Sequence, residues 1–466
     1  NVEQAIRVSN GKRFDSNLVK VSRVLLVYLE KVCELRDWTE VDHFNNTKKL
    51  LTPMARGTFE SFAEYFETDK FNDMSAVYGH YNAFWLSKSM SFLMTIFSLI
   101  TVIFAKFPES LRAIWNRDYR GSKRVTANTV FIPRQKCWFL PEWSKGRVQR
   151  KYFSDYEKNK RGVRCRLIRH AKKPENDTLV LHIHGGGFVT HTPDSHEMYL
   201  RHWASNIAGV PILSIDYSTN VEYPIALQEV LDVYLWVISG HSKVKQMLGF
   251  HPKKIVLCGD SAGGVLCITL CAVLHDIRKI LERNKEPIKL LFPSSFVGIY
   301  TTFNLHHLSP SLLLSLIEPV LGTGPLLACI GLYSLGVRYD HDFEAIEKVH
   351  LLLRIWNRKP WFRCDLQLFQ QRMKYISHVA DHPYINALNS EFMESVENMS
   401  IYLVTSHFDI LLDNNVEFAK NFKGNIVLDV VDDVSHGYLH WCFVSKEAMK
   451  GSDLCLKRLQ QAIGYY

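Results

Sequence analysis

The sequence contains no CxxC pair, although ten cysteines are spread along its 466 residues. This absence argues against zinc ribbons and dithiol redox motifs, and Cys267 and Cys271 lie one helical turn apart rather than at a zinc-binding spacing. A chain of this length does not need disulfides to stabilise its core, so we expect reduced thiols in a cytoplasmic protein. No signal peptide is recognisable from Asn1 onwards, which agrees with that expectation.

The chain also lacks internal repeats and low-complexity tracts, and its main uncharged run is short for a membrane span. That run covers residues 89–105 and contains five serines or threonines, whereas a spanning helix needs about 20 mostly apolar residues. We predict a buried or interfacial helix there, with a transmembrane span as the alternative. Apolar residues recur at intervals of three or four positions from Val19 to Val32, which is typical of an amphipathic helix.

Positive charge is concentrated in one segment of the chain. The segment from Lys145 to Lys173 contains twelve lysines and arginines but only two acids, whereas the formal net charge of the whole chain is +9. A patch that faces an anionic lipid surface is one interpretation, and an ordinary solvated face is the one we favour. No nucleic-acid recognition motif accompanies this charge, so we expect no nucleic-acid partner.

From about residue 163, short β-branched runs alternate with helical stretches. This alternation predicts an α/β fold with a mostly parallel sheet, whose ligand site lies beyond the carboxyl ends of the strands. We therefore expect a mainly helical N-terminal domain over residues 1–135 and an α/β domain over 136–466. Residues 301–390 are rich in leucine and show no strand pattern, which predicts a helical cap or insertion. The strand-like runs cover residues 179–183, 210–215, 254–258, 401–404 and 426–430.

The run at 254–258 is followed by a GxSxG sequence, Gly259-Asp260-Ser261-Ala262-Gly263. In α/β hydrolases this motif forms a strained turn between strand and helix that exposes a nucleophilic serine. Gly259 and Gly263 leave the crowded turn without side chains. The motif alone is weak, because chance supplies it about 0.1 times in a chain of this composition. A serine that caps a helix N-terminus is the simpler alternative.

A second motif, His184-Gly185-Gly186-Gly187-Phe188, follows the run at 179–183. Chance supplies its first four residues only about 0.003 times, which makes this signal stronger. Backbone N–H groups approach a developing oxyanion closely where no Cβ intervenes. We therefore predict an oxyanion hole formed by the amides of Gly185, Gly186, Gly187 and Ala262, the residue after the serine.

A serine nucleophile needs a base, and in this fold the chain order is serine, acid, histidine. His436 stands after the last strand-like run and is the predicted base, with His440 as the alternative. Asp409 is the first acid after the preceding run and is predicted to orient His436, with Asp413 as the alternative. This chemistry requires no cofactor and no metal.

These segments together resemble the hormone-sensitive lipase family of esterases. The resemblance implies an α/β-hydrolase fold and hydrolysis of neutral lipid esters, namely acylglycerols and sterol esters. It also implies a cytoplasmic protein that associates with lipid droplets or membrane surfaces. The N-terminal domain would then form a homodimer, or bind a lipid-droplet protein or a lipid surface. A departure is Ile410, which stands where the family has proline. The resemblance covers residues 179–270, with the motifs 184–189, 195–197, 214–218 and 259–264, and resumes at 309–313 and around Asp409 and His436.

Two other functions fit parts of this pattern. A membrane-bound deacetylase-like esterase of the endoplasmic reticulum would require residues 89–105 to span the bilayer. A non-catalytic small-molecule receptor can also use this fold. The presence of serine, histidine and aspartate in the expected order disfavours the receptor.

Overall fold

The computed structural model describes residues 124–304 and 382–465, each with short gaps, and the single positions Ser311, Leu321, Cys329 and Tyr333. The run at 89–105, most of the predicted helical domain and most of the predicted cap lie outside the described residues. In the part of the chain that the structure covers, no helix has the length and apolarity to cross a membrane.

The described residues form an eight-stranded sheet of order β1-β2-β4-β3-β5-β6-β7-β8. β2 pairs antiparallel with both β1 and β4, and the other neighbours pair in parallel. This mostly parallel sheet confirms the predicted α/β-hydrolase fold. The strands are β1 Val125–Ile132, β2 Val163–His170, β3 Thr178–Ile183, β4 Ile212–Asp216, β5 Lys254–Asp260, β6 Ser295–Ile299, β7 Ser400–Phe408 and β8 Ile426–Ser435.

Helices cover both faces of the sheet, which explains why its central strands are continuous apolar runs. In β3, Leu181 packs in one hydrophobic cluster with the helices Ile225–Ile238 and Ala262–Arg283, whereas the adjacent Val180 packs in another with the helices Pro193–Ser205 and Lys446–Ile463. The helices are α1 Arg147–Lys158, α2 Pro193–Ser205, α3 Ile225–Ile238, α4 Ser242–Leu248, α5 Ala262–Arg283, α6 Ser390–Ser395, α7 Leu412–Asn421 and α8 Lys446–Ile463, with a 3₁₀ helix at Tyr438–Trp441.

The boundary predicted at residue 135 needs correction, because β1 lies within the catalytic sheet and pairs with β2 from Val125 to Ile132. The α/β domain therefore begins before residue 125. Mainly the two ends of this edge strand are buried, so its sequence lacks the apolar run of a central strand. β6 was also not recognised, because it has only five residues and includes Gly298, against which the ring of Phe296 packs.

Part of the charge in the basic segment is neutralised inside the fold. Arg164 in β2 donates to Asp216 at 2.6 Å and to Asp194 at 2.7 Å. Arg166, which is 5% exposed, donates from Nε to Glu197 at 2.6 Å. These ion pairs join the sheet to α2, so the residues from Lys145 to Lys173 do not form one uninterrupted solvated face.

Candidate active site

Ser261 stands alone between the end of β5 and the first residue of α5, in a backbone conformation that is rare for a side chain with a Cβ. Its φ is 50° and its ψ is −123°, and such strain persists only where the surroundings enforce it. The Ser261 N–H donates to the carbonyl of Ile299 at 2.9 Å, and the Ser261 carbonyl accepts from Gly264 at 3.0 Å. The predicted strained turn is therefore present.

The two glycines of the GxSxG motif are required by close backbone approach. A Cβ on Gly263 would lie 2.0 Å from the carbonyl oxygen of Ile183, and a Cβ on Gly259 would lie 2.7 Å from the carbonyl carbon of Gly263. The glycines thus allow α5 to begin directly against β3. This contact places the N-terminus of α5, and Ala262 with it, beside the loop that follows β3.

Ser261, His436 and Asp409 meet at the carboxyl ends of β5, β8 and β7, as predicted. His436 Nε2 lies 2.9 Å from Ser261 Oγ, and His436 Nδ1 lies 3.0 Å from Asp409 Oδ1. Asp409 is fully buried, and its Oδ1 also accepts the N–H of Leu411 at 2.8 Å. Because a carboxylate only accepts, Nδ1 carries the imidazole proton and Nε2 is left to accept from the serine hydroxyl.

The structure places the two alternative residues elsewhere. Asp413 lies in the first turn of α7, where its Oδ2 accepts the N–H of Ser311 at 2.7 Å. His440 lies in the 3₁₀ helix, with its ring against those of His191 and His196. Neither alternative occupies the place of Asp409 or His436 beside Ser261.

The base is supported by a residue that sequence reasoning missed. Tyr300 follows β6, is fully buried, and packs its ring 4.7 Å from the ring of His436 at an interplanar angle of 59°. Its φ of 36° is unusual for a bulky side chain. A tyrosine after a short strand gave no sequence signal, because the contact depends on how β6 and β8 are placed in the sheet.

In the glycine loop, residues 184–188, the structure differs from the prediction for one amide. The Gly185 N–H donates to Asp260 Oδ1 at 3.0 Å, and a Cβ on Gly185 would lie 2.5 Å from Asp260 Oδ2. This amide is therefore used to fix the loop rather than to bind an oxyanion. Gly186 and Gly187 have φ values of 111° and 62°, which favour glycine, and the donor roles of these two amides and of Ala262 remain predictions.

His184 holds the glycine loop from its other side. Its ring stacks on Tyr217 with centroids 4.2 Å apart, and its Nδ1 lies 2.7 Å from the Gly185 carbonyl. The Tyr217 hydroxyl in turn donates to the His184 carbonyl at 2.9 Å. Burial lowers the pKa of His184 to about 3, so the ring is neutral at physiological pH.

Asp260, inside the GxSxG motif, organises this region and was predicted only as part of the motif. Its Oδ2 lies 3.2 Å from His196 Nε2, and its Oδ1 accepts from the Tyr199 hydroxyl at 3.4 Å. Burial acts to raise the pKa of Asp260, but the neighbouring histidines, above all His196, hold it below its ordinary value. The carboxylate is therefore ionised, and it joins the glycine loop to α2.

We expect the Asp260→Asn variant to unfold more easily, because it removes one charge of a buried, hydrogen-bonded pair. The loss in free energy of unfolding is about 3 kcal/mol, measured by urea denaturation at neutral pH. Asp453→Asn is the control, since Asp453 also faces a histidine, His202, but its side chain is 51% exposed. That variant should lose less than about 1 kcal/mol. Equal losses in the two variants would contradict the role assigned to Asp260.

Two described positions of the predicted cap lie against the glycine loop. The ring of Tyr333 stacks on Phe188 with centroids 3.6 Å apart, and its carbonyl accepts the N–H of Tyr223 at 2.8 Å. Cys329 Sγ would lie 2.4 Å from a Cβ placed on Gly187. Part of the segment 301–390 therefore covers the loop from which the predicted oxyanion donors come.

Comparisons with known proteins agree with this geometry. A family profile for the alpha/beta hydrolase fold matches residues 180–303. Hormone-sensitive lipase of Mus musculus is 40% identical over 180 residues, which are 38% of this chain and 21% of that protein. Hormone-sensitive lipase of Homo sapiens is 38% identical over 194 residues, which are 40% of this chain and 16% of that protein. The matched part thus spans about a fifth or less of these relatives.

More distant proteins cover the chain more fully. Lipase 2 of Moraxella sp. is 26% identical over 257 residues, which are 53% of this chain and 51% of that protein. A hyperthermophilic esterase from the archaeon Pyrobaculum calidifontis superposes with a TM-score of 0.50 and 19% identity, over 78% of this chain and 90% of that one. This last likeness is one of fold alone. Residues 180–303 thus match the alpha/beta hydrolase fold, and about two fifths of the chain is similar to hormone-sensitive lipase.

Proposed function

We propose that the chain is a carboxylester hydrolase that acts through a serine-bound acyl intermediate. The observation that carries this proposal is the position of His436, which contacts Ser261 Oγ at 2.9 Å and Asp409 at 3.0 Å. A neutral histidine held in this way takes a proton from the serine and stabilises the imidazolium that results. The similarity to hormone-sensitive lipases supports the same chemistry.

In the first half of the reaction, Ser261 Oγ attacks the ester carbonyl carbon while its proton moves to His436 Nε2. The tetrahedral intermediate places negative charge on the former carbonyl oxygen, within reach of the amides of Gly186, Gly187 and Ala262. One such donor typically contributes about 3 kcal/mol to lowering the barrier. When the C–O bond to the alcohol breaks, the leaving oxygen takes the proton from His436, and the acyl group remains on Ser261.

In the second half, water attacks the acyl-enzyme and gives one proton to His436 Nε2. The intermediate then collapses, the bond from the acyl carbon to Ser261 Oγ breaks, and Oγ regains the proton from His436. The products are a carboxylic acid and an alcohol, and the enzyme returns to its first state. Asp409 stays ionised throughout, because it orients the imidazolium instead of accepting its proton.

For the substrate, we propose neutral lipid esters of the acylglycerol and sterol ester classes. The support is that the similar proteins from Mus musculus and Moraxella sp. are lipases, together with the aromatic pair Phe188 and Tyr333 beside the site. A cytoplasmic protein that works at a lipid-droplet or membrane surface fits such a substrate. A homodimer or a lipid-droplet protein as partner belongs to the same proposal.

A fluorophosphonate probe tests the proposed function directly. We expect stoichiometric labelling of the purified chain, with the adduct on the peptide that contains Ser261 by mass spectrometry. Protein unfolded in urea before exposure is the control and should stay unlabelled, because Ser261 is activated only in the assembled site. Absence of labelling in the folded protein would favour a non-catalytic receptor.

A substrate panel then tests the ester class. Initial rates with a short p-nitrophenyl ester, emulsified diacylglycerol and emulsified cholesteryl ester distinguish a lipase from an esterase of small soluble substrates. We expect hydrolysis of the short ester and of at least one emulsified lipid. Activity confined to the short ester would refute the lipid substrate while leaving the serine mechanism in place.

A further inference from the structure

Three histidines meet beside the catalytic residues, although the proposed hydrolysis uses none of them. His191 follows the glycine loop, His196 lies in α2, and His440 lies in the 3₁₀ helix four residues after His436. Each offers one ligand atom, and these three atoms lie within 4.8 Å of one another. They come from three separate segments of the chain, so only the fold brings them together.

Two of the ring nitrogens converge on the hydroxyl oxygen of Ser195, which a bound ion would have to displace. Ser195 Oγ lies 3.2 Å from His191 Nδ1 and 3.0 Å from His196 Nδ1. The ring of His440 lies 4.7 Å from that of His191 and 4.8 Å from that of His196, centroid to centroid. His191 has a φ of 68°, an uncommon conformation for this residue type that turns the loop towards the other two histidines.

His196 has the surroundings typical of a metal-binding histidine. Its Nε2 lies 3.2 Å from the ionised Asp260 Oδ2, so this nitrogen carries a proton. Its Nδ1 lies 3.0 Å from both Ser195 Oγ and the Thr192 carbonyl oxygen, and a metal bound to Nδ1 would replace these two contacts. A carboxylate that holds the far nitrogen fixes the tautomer of metal-binding histidines and makes the near nitrogen more basic. The negative charge of Asp260 also favours a cation nearby. This attraction acts against the N-terminus of α2, whose partial positive charge disfavours a cation.

The rings can reach a metal with small movements. In a tetrahedral site with Zn–N bonds of about 2.1 Å, the ligating nitrogens are about 3.4 Å apart. The ligand atoms lie within 4.8 Å of one another, so the longest of these distances has to shorten by a little over an ångström. The rings of His191 and His440 are stacked and nearly parallel, so both have to rotate about their side-chain bonds before their nitrogens can share one ion. Both rings are only partly buried, which leaves an ion a path of entry.

We propose that His191, His196 and His440 form a binding site for a divalent transition metal ion of the zinc type. All three ligands are imidazole nitrogens, which suit zinc, copper and nickel better than magnesium or calcium. A neutral imidazole has one ring nitrogen with a lone pair available for a metal. A bound ion would tie the end of the glycine loop to the segment that follows His436.

Isothermal titration with ZnCl2 and absorption spectra with CoCl2 test the site on the full chain without substrate. We expect one tight site per chain and the visible spectrum of tetrahedral Co²⁺ without a thiolate charge-transfer band. His440→Gln should weaken this event by at least roughly tenfold, and Asp260→Asn by about 10- to 100-fold. Binding to cysteines would instead give the thiolate band.

His275→Gln is the matched control, because it removes a partly buried histidine thirteen residues along α5 from Ala262, roughly 20 Å away at 1.5 Å per residue. It should bind Zn²⁺ as the wild-type chain does. Circular dichroism of each variant shows that it remains folded. Tight binding that survives in folded His440→Gln, or no tight binding by the wild-type chain, would overturn the proposal. Neither result depends on ester hydrolysis, so failure of the metal site would leave the proposed function unaffected.

Discussion

Replacement of Ser261 by alanine is expected to lower kcat for a short p-nitrophenyl ester by about 10⁶-fold. The reason is that Oγ forms the bond to the acyl carbon, and no neighbouring side chain takes its place. The remaining rate comes from the oxyanion donors and from substrate binding. Initial rates at saturating ester, corrected for the uncatalysed reaction, measure the loss.

The fold should survive this substitution. Alanine keeps the Cβ and the backbone of residue 261, including the N–H that donates to Ile299, so the urea midpoint should not fall. Ser239→Ala is the control variant, since Ser239 is exposed and its hydroxyl contacts only nearby backbone, donating to the Trp236 carbonyl at 2.7 Å and accepting the His241 N–H at 3.3 Å. It should retain full activity. Undiminished turnover by Ser261→Ala would exclude Ser261 as the nucleophile.

The Asp409→Asn variant is expected to lose about 10⁴-fold in kcat with little change in KM. The Leu411 N–H, 2.8 Å from Oδ1, orients the asparagine so that its carbonyl keeps this bond. The amide NH2 then occupies the Oδ2 position, 3.1 Å from His436 Nδ1. The NH2 group can donate only to an unprotonated Nδ1, so the substitution favours the tautomer that carries its proton on Nε2. His436 can then no longer take a proton from Ser261.

Asp413→Asn is the matched control, because the two acids are four residues apart and sequence reasoning left both open. Asp413 accepts the N–H of Ser311 and does not face His436, so its variant should stay within about threefold of wild-type kcat, in the range of small effects. A loss in Asp413→Asn equal to that in Asp409→Asn would contradict the assignment of the acid.

Ser261, Asp409 and His436 were predictable because each follows a strand, and parallel strands bring their carboxyl ends to one edge. The glycines were predictable because close backbone approach restricts their positions to that residue. Local sequence therefore contained most of what places the catalytic residues. The sheet itself was predictable for its central strands, whose burial on both faces leaves continuous apolar runs.

The contacts around these residues depended on tertiary structure and were not predictable. Asp260 accepts the N–H of Gly185, which lies in a loop 75 positions earlier. It also contacts the ring of His196, which lies in a helix 64 positions earlier. Tyr300 follows β6 and reaches His436, which follows β8, past the end of β7 that lies between these two strands. The edge strand β1 escaped notice for a different reason, because a strand whose side chains are mostly half-buried or exposed has no apolar pattern to detect.

The direction of β1 determines where the chain can be cut. β1 is antiparallel to β2, which is antiparallel to β4, so β1 runs in the same direction as the strands that end at the catalytic residues. Its first residue, Val125, therefore lies at the edge of the sheet opposite Ser261. Proteolysis just before Arg124 would leave every hydrogen bond of the β1–β2 ladder intact. A fragment that begins at residue 136 would instead expose the bare backbone of β2, a template for aggregation.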